Sequence, residues 1–436
     1  MRARLFLVVG LSLLAVGFGT AGILFAGAVE TGWLTLGGNF QRTGLSQDSG
    51  PVQGGIQWKF ETGGAVVSSA TVGFDGQIHV ACEDGKLYTL SKTGEPKMVA
   101  DVNTPLVSAP TIGPDGSLYV GGKDGRLWAI APDGSVQWTW QTGDAIYAAP
   151  ALASNGSLYA SSSGDIYVGS TDGTLYALRQ DGTELWRFRT KGPGALLTGA
   201  IFASPALAAD GTVYVAGMYD PNLYALNPAD GSIKWVCRFP PDSEEDEIGG
   251  WPFAAPVVAG DGTIYQTLLY DRHLYAISPD TGAIRWSVDL CDPRLFGPEK
   301  AAELEGGGWS EPALGPDGTI YVSLDDPYLR AVDPSGTVKW VTQLGEVGGF
   351  TLTVDKTGLI YAASDDGYVY VVSPGSLLVA QFETGGWPVF PVLAANDLLI
   401  LADSKDYSGY AEGAKNAVWA ISSESLSQLG GPVRRQ

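Results

Sequence analysis

Residues 108–138 read SAPTIGPDGSLYVGGKDGRLWAIAPDGSVQW. Apolar residues alternate with polar ones in short runs rich in β-branched and aromatic side chains, the pattern of strands rather than of a helix. Asp115-Gly116 supplies the first tight reversal, because Gly accepts the positive φ that a two-residue hairpin turn demands. A looser turn at 123–125 and the Pro132-Asp133-Gly134 turn follow, so the stretch divides into strands at 108–112, 117–121 and 127–130 and a last one carrying Trp138. Such a unit standing alone leaves both faces in water and needs neighbours to cover them.

The same pattern recurs at a spacing of about 40 residues, the period of a β-propeller built from four-stranded blades. Three markers keep its register: a hairpin Gly with an aromatic three residues on, a Leu-Tyr-Ala-Leu-like third strand, and a Gly four residues before a Trp. The hairpin marker appears as Gly76 with His79, Gly116 with Tyr119, Gly156 with Tyr159, Gly211 with Tyr214, Gly262 with Tyr265, Gly318 with Tyr321 and Gly358 with Tyr361. His79 stands in the tyrosine place and reads as a packing substitute. The second Gly precedes Trp138, Trp186, Trp235, Trp286 and Trp340, while Met98 and Val379 take the Trp place in the first and seventh units. A repeated Trp on an outer strand reads as a structural dock against the next blade; burying about 200 Å² at about 25 cal/mol per Å² is worth roughly 5 kcal/mol before entropy.

An eighth unit is degenerate, with strands at 388–393, 398–402 and 417–421 and no fourth. Gly54 and Trp58 form a spare copy of the Gly-to-Trp marker ahead of the first unit, so residues 56–60 are expected to complete that last blade and close the ring. The expected fold is an all-β, eight-bladed propeller closed by an N-terminal strand. Its expected segments are 1–28 as signal peptide or membrane anchor, 29–60 as lead-in and closing strand, 61–425 as the blades and 426–436 as a tail.

Arg2 and Arg4 precede an apolar run over 5–28 that ends in Ala26-Gly27-Ala28. This reads as an export signal, with cleavage after Ala28 favoured over an uncleaved anchor, and places the remainder outside the cytoplasm. The formal charge of −21 repels a phosphate backbone, which argues against a nucleic-acid partner. Cys82, Cys237 and Cys291 form no CxxC and no adjacent pair; Cys237 and Cys291 fall near the ends of successive blades, where a disulfide is one reading and free buried thiols the other. No Ser-His-Asp order, HExxH, phosphate-binding loop or paired catalytic carboxylates stands out, and the imidazoles number two, His79 and His273.

The units YALNPADGSIKW at 224–235 and YAISPDTGAIRW at 275–286 resemble the tryptophan-docking repeat of the PQQ-like, or quinoprotein dehydrogenase-like, propellers, and GWLTLGGNFQRTG at 32–44 resembles the lead-in of extracytoplasmic members. The resemblance covers essentially all of the chain after residue 28. It implies the fold, and two classes of function: quinone-dependent dehydrogenases that place a vicinal disulfide against the cofactor and hold Ca²⁺ with acidic and amide side chains, and noncatalytic BamB-like scaffolds. Adjacent cysteines are absent here, and Asp325, Asp326 and Glu311 read as turn or solvated acids rather than as a metal set. The chain also departs from BamB-like members in lacking a lipobox cysteine.

In a propeller, the connections from second to third strand, and from fourth strand to the next blade, emerge on one face. That face carries the insertions 191–200, 240–251, 291–309 and 404–416, whereas turns on the other face are minimal. Long loops on a rigid scaffold mark it as the binding face. Candidate residues there are Trp251, Trp309 and Trp387, each closing a Gly-Gly-Trp, and the variable first residues of third strands, Arg126, His273, Tyr328 and Tyr368. The acidic run at 243–247 reads as a solvated loop, and 298–305 as a helical turn. The favoured reading is an exported, noncatalytic, monomeric scaffold without cofactor, binding a protein or cell-envelope polymer. A PQQ- and calcium-dependent oxidoreductase and a carbohydrate-binding propeller using the three Trp are the alternatives.

Overall fold

A computed structural model describes residues 32–153, 165–191, 199–240, 251–269, 271–297, 299–300, 304, 307, 311–345, 350–384, 387–394, 397–404 and 416–423. They form eight antiparallel sheets of four strands. Blades 1 to 7 take their strands in chain order within 71–101, 111–141, 151–189, 206–238, 257–289, 313–343 and 350–383. In blade 2 these are Thr111–Ile112, Leu118–Gly121, Arg126–Ile130 and Val136–Gln141. Blade 8 consists of Trp387–Ala394, Leu398–Ser404 and Ala417–Ser422, with Gly55–Glu61 as its outermost strand. The expected closure is thus present: Trp58 lies opposite Ala420 and Phe60 opposite Val418.

The core is not one mass but eight apolar clusters, each shared by two adjacent blades. Strand alternation explains this. Leu118 and Val120 of blade 2 pack toward blade 1, while Tyr119 between them packs toward blade 3. Both faces of every blade are therefore buried, as a lone blade requires.

Outer strands are joined by a repeated dock. The indole N–H of Trp58 donates to Lys92 O (2.9 Å), Trp138 to Gln180 O (2.7 Å), Trp186 to Pro228 O (2.8 Å) and Trp235 to Pro279 O (2.7 Å), each in the next blade. Trp286 and Trp340 reach Pro334 O and Pro374 O in the same way. The Gly of the marker serves the previous blade's Trp, not its own. At Gly282, a Cβ would meet the Trp235 ring at 2.5 Å, and φ is +71°. Gly is required there twice over, for room and for backbone conformation.

Two marker assignments need correction. In blade 7 the residue opposite Val371, the Trp register position, is Ala380 and not Val379. Ser376, with φ 70°, takes the left-handed turn position that Gly fills elsewhere, and this shifts the count by one. In blade 3 the tyrosine opposite Ala151 is Tyr167, whose ring lies 5.6 Å from Trp186, as Tyr214 lies 5.6 Å from Trp235 in blade 4. Gly156 and Tyr159 fall outside the described residues. His79 behaves as expected: it lies opposite Thr71, buried, with Nδ1 2.9 Å from Thr89 Oγ1, and burial lowers its pKa to about 4.

The thiols are free. Cys237 lies in the cluster between blades 4 and 5 and Cys291 in that between blades 5 and 6, and burial raises both to about 11. The disulfide reading is set aside, since each thiol faces a different blade interface. A helical turn forms at Pro293–Phe296, earlier than expected; Glu299 and Lys300 are also helical, and most of 301–306 lies outside the described residues. Among the described residues no helix is long and apolar enough to cross a membrane. Residues 1–28, the expected signal or anchor, lie outside them.

Candidate binding site on the propeller axis

The lead-in has a job that repeat counting does not reveal. It runs inside the ring and bonds to first strands in chain order. Trp33 exchanges both backbone hydrogen bonds with Val72 of blade 1, and Leu34 O accepts from the Ile112 N–H of blade 2. Phe40 O, Gln41 O and Thr43 O accept from Leu207, Val258 and Leu314 of blades 4, 5 and 6, and Gly44 and Ser46 bond to Val354 of blade 7. The Phe40 ring packs at both interfaces of blade 3, and Gly50 lies against Tyr361 of blade 7 and Leu393 of blade 8. First strands therefore line the axis. Val72, Ile112, Leu207, Val258, Leu314 and Val354 end those strands, so the segment closes the axial channel at its short-turn end.

Local chemistry dictates the path. At Gly37 (φ +69°) a Cβ would meet the Arg42 backbone at 2.9 Å, and at Gly38 (φ +81°) the Trp33 ring at 2.9 Å. Asn39 Nδ2 donates to Thr43 Oγ1 (2.6 Å) and Asn39 Oδ1 accepts from Thr43 N–H (3.2 Å), holding the turn between them.

Arg42 projects from this turn into the ring and is wholly buried. Its Nη1 donates to Thr35 Oγ1 and Leu36 O, both at 2.8 Å. Nη2 donates to Ala149 O (3.1 Å) and Pro205 O (3.1 Å), and Nε to Pro205 O (3.2 Å). The planar fork so ties the lead-in to the residues that open blades 3 and 4. Burial lowers its pKa to about 10, which leaves it cationic at neutral pH.

Glu311 opens blade 6 in the same layer. Its carboxylate accepts the Ala255 amide of blade 5 and feels the charge of Arg42, but burial outweighs both and lifts its pKa from 4.5 to about 7. One side faces a space of about 10 Å³ bounded by Arg42, Ser69, Thr351 and Thr353, enough for about one water. Glu311 is thus an axial group rather than a solvated loop acid, because the first strands converge at the axis.

Above this layer, toward the long-loop face, lies an aromatic row. Tyr147, Phe202 and Phe253 hold one place in blades 3, 4 and 5, ahead of Pro150, Pro205 and Pro256. Ring centroids are 5.6 Å apart between Tyr147 and Phe202, and 5.5 Å, stacked, between Phe202 and Phe253. Tyr147 is 37% exposed. The recurring aromatic before the proline was the available sequence signal for this row.

The expected site residues are scattered by comparison. Trp251 bridges Leu269 through its backbone and meets Tyr219 edge-on at 4.5 Å. Trp309 lies outside the described residues; Trp387 begins the first strand of blade 8, its backbone opposite Ser404. Arg126, His273, Tyr328 and Tyr368 each open the third strand of their own blade. Arg126 pairs with Asp124 (3.3 Å), and His273 Nδ1 lies 2.6 Å from Asp271. Tyr328 packs edge-on against Phe296 (4.9 Å), and Tyr368 lies 6.1 Å from Tyr370. Tyr328 thus meets the connection from blade 5, while Arg126, His273 and Tyr368 meet groups of their own second-to-third turn or third strand. The aspartate of that turn is structural: Asp172 accepts the Tyr176 hydroxyl (2.7 Å) and the Gly143 N–H (2.7 Å) of the loop leaving blade 2, and Asp220 accepts Tyr224 and Lys191 N–H likewise.

The sequence model of the family described as outer membrane protein assembly factor BamB matches residues 45–187 and 171–425. The chain belongs to this family. Among solved structures it is similar to BamB from Moraxella catarrhalis, with a TM-score of 0.65 and 17% identity over 85% of this chain and 100% of that one. It is also similar to the quinohemoprotein alcohol dehydrogenase from Comamonas testosteroni (TM-score 0.73, 14% identity, 93% of this chain and 82% of that one). A europium-containing methanol dehydrogenase gives 0.71 and 13%, over 90% and 98%. At these identities the likeness shows the fold. No curated protein matches the chain by sequence.

Among the described residues nothing corresponds to the vicinal disulfide or the grouped calcium ligands that the resemblance to quinone-dependent dehydrogenases implies. No two cysteines are adjacent, and Cys82, Cys237 and Cys291 sit in different blade interfaces. The axial space offers one carboxylate and room for about one water, and no three His, Cys, Asp or Glu among the described residues are grouped to hold a metal ion.

Proposed function

We propose that the protein is an exported, noncatalytic propeller that holds a protein or cell-envelope polymer on its long-loop face. The observation that carries this reading is the difference between the two ends of the axis. The short-turn end is stoppered by the chain's own residues 33–46, while the long-loop end presents the aromatic row of Tyr147, Phe202 and Phe253. A surface of fixed aromatic side chains on rigid blades suits recognition. The family's description as an assembly factor supports a protein partner. Export rests on Arg2, Arg4 and the apolar run that follows.

Two measurements test it. Photocrosslinking residues at Tyr147 and Arg126 should give discrete adducts in the native envelope, and one at Gly260, on the short-turn face, should not. Titration with pyrroloquinoline quinone with and without Ca²⁺ should leave absorbance and thermal midpoint unchanged; saturable, Ca²⁺-dependent binding would overturn the reading in favour of an oxidoreductase.

A further inference from the structure

The third strand of blade 8 ends at Ser422 on the short-turn face. There the Ser423 N–H donates to Asp397 Oδ2 (3.2 Å), and a Cβ on Gly54 would meet Ser423 Cα at 2.8 Å, so the departing chain starts beside the lead-in. Residues 424–436, ESLSQLGGPVRRQ, lie outside the described residues. On the same face a cleft of about 450 Å³ opens between blades 5 and 6, a volume in the range of small-ligand sites. The lead-in forms its inner wall with Leu45 and Gln47, the hairpin turns of the two blades contribute Asp261 and Pro316, and the last turn of blade 6 adds Pro334. Gln47, Asp261, Pro316 and Pro334 are exposed, so the cleft is open to solvent.

We infer that this cleft is a seat for the chain's own residues 432–435: Pro432 and Val433 lie against Leu45, Pro316 and Pro334, and Arg434 pairs with Asp261. Reach permits it. Gln47 is seven residues from Gly54, which bounds their separation at about 25 Å, since an extended chain advances at most about 3.6 Å per residue. Val433 is ten residues from Ser423 and extends to about 36 Å on the same measure, so it arrives with slack. Composition fits as well. Pro432 fixes its own φ, which lowers the entropy lost on seating, and Gly430-Gly431 ahead of it let the chain turn into the cleft. The short turns of blades 5 and 6 carry Asp261, Asp280, Asp317 and Asp333, answered by Arg285 near Asp261 and by Lys339, 3.5 Å from Asp317. The surplus is negative, and Arg434 and Arg435 complement it. Seated, the segment straps the short-turn face from blade 8 past blade 7 to blades 5 and 6, opposite the proposed partner surface and independent of it.

The test uses the full chain with benzoylphenylalanine, an apolar photoreactive residue, in place of Val433, irradiated at a low and a high protein concentration and mapped by peptide mass spectrometry. Adducts are expected at Leu45, Pro316 or Pro334, within one chain and in a yield that does not depend on concentration. Arg434→Glu together with Arg435→Glu should lower that yield about fivefold, and Gln47→Lys, at an exposed position, should restore it in that background by reversing the charge of the wall. Thermal midpoints verify that each variant folds. Adducts confined to other parts of the chain, no adducts, or a yield indifferent to the two arginines would overturn the seat. Adducts that join two copies and rise with concentration would overturn it in favour of a second copy as occupant. The readout lies on the short-turn face, so the scaffold reading keeps its own test at positions 147 and 126.

Discussion

The rim and the axis of this propeller are held by opposite means. At the rim one device is repeated: a Trp from one blade lies over a left-handed Gly of the next and donates to a carbonyl beside it, from Trp58 on Gly94 to Trp286 on Gly336. At the axis a single copy does the work, with one segment threading the first strands and one Arg gathering carbonyls from blades 3 and 4. Loss of one rim contact leaves the others intact, whereas loss of the axial one touches many blades. Redundancy at the circumference tolerates exceptions such as Met98 and Ala380; the axis has no spare.

That contrast predicts an order of effects. Arg42→Ala should be the most damaging, by about 3–5 kcal/mol, because it leaves buried carbonyls at Ala149 and Pro205 and the part-buried one at Leu36 without this donor. Arg42→Lys should recover only part, since an ammonium cannot reproduce the planar fork. Chemical denaturation measures both, and an Arg42→Ala midpoint equal to wild type would show that the axis is not what holds the ring.

Next comes the rim. Gly282→Ala should cost about 2–3 kcal/mol, from a clash with the Trp235 ring and a left-handed φ. Gly260→Ala, where a Cβ meets nothing within 4 Å, should change stability by less than about 0.5 kcal/mol. Similar losses at the two sites would break the docking account.

A smaller effect is a matter of pH. Folding raises Glu311 from 4.5 to about 7, so between those values the native state binds more protons than the unfolded chain. Its contribution is fully present below pH 4.5 and is lost as pH rises through about 7. The Glu311 carboxyl, beside a water-sized space, should account for roughly 1–2 kcal/mol of that fall, and Glu311→Gln should flatten the melting profile over the same window. His79 acts with the opposite slope: buried neutral with a pKa of about 4 against 6.5, it contributes stability that declines as pH falls through that interval. A Glu311→Gln profile as steep as wild type would detach the carboxyl from the axial layer.

The smallest effect is a gain. Met98 lies over Gly134, where other blades place a Trp, so Met98→Trp should dock there and add up to about 1 kcal/mol to the unfolding free energy. A loss instead would mean that blade 1 has repacked around the thioether.

Periodicity made the ring legible. Alternation, turn glycines and Trp spacing are local and repeated, so each unit checks the next, and the spare Gly54-to-Trp58 marker was enough to place the closing strand. Where one copy deviates the count slips, as at Ser376, whose left-handed turn has no Gly to announce it. The site was less legible. Arg126, His273, Tyr328 and Tyr368 vary among repeats, yet Arg126, His273 and Tyr368 meet groups of their own blade and Tyr328 meets the connection from blade 5. By contrast Arg42 and Glu311, 269 positions apart in a chain whose numbering runs to 436, share one layer because eight first strands point at a common axis. The order of residues determined eight blades and how they close. Only the closed ring decided that the lead-in would stopper it and that Arg42 and Glu311 would line one axial space, because proximity across an axis depends on closure and leaves no trace in local spacing.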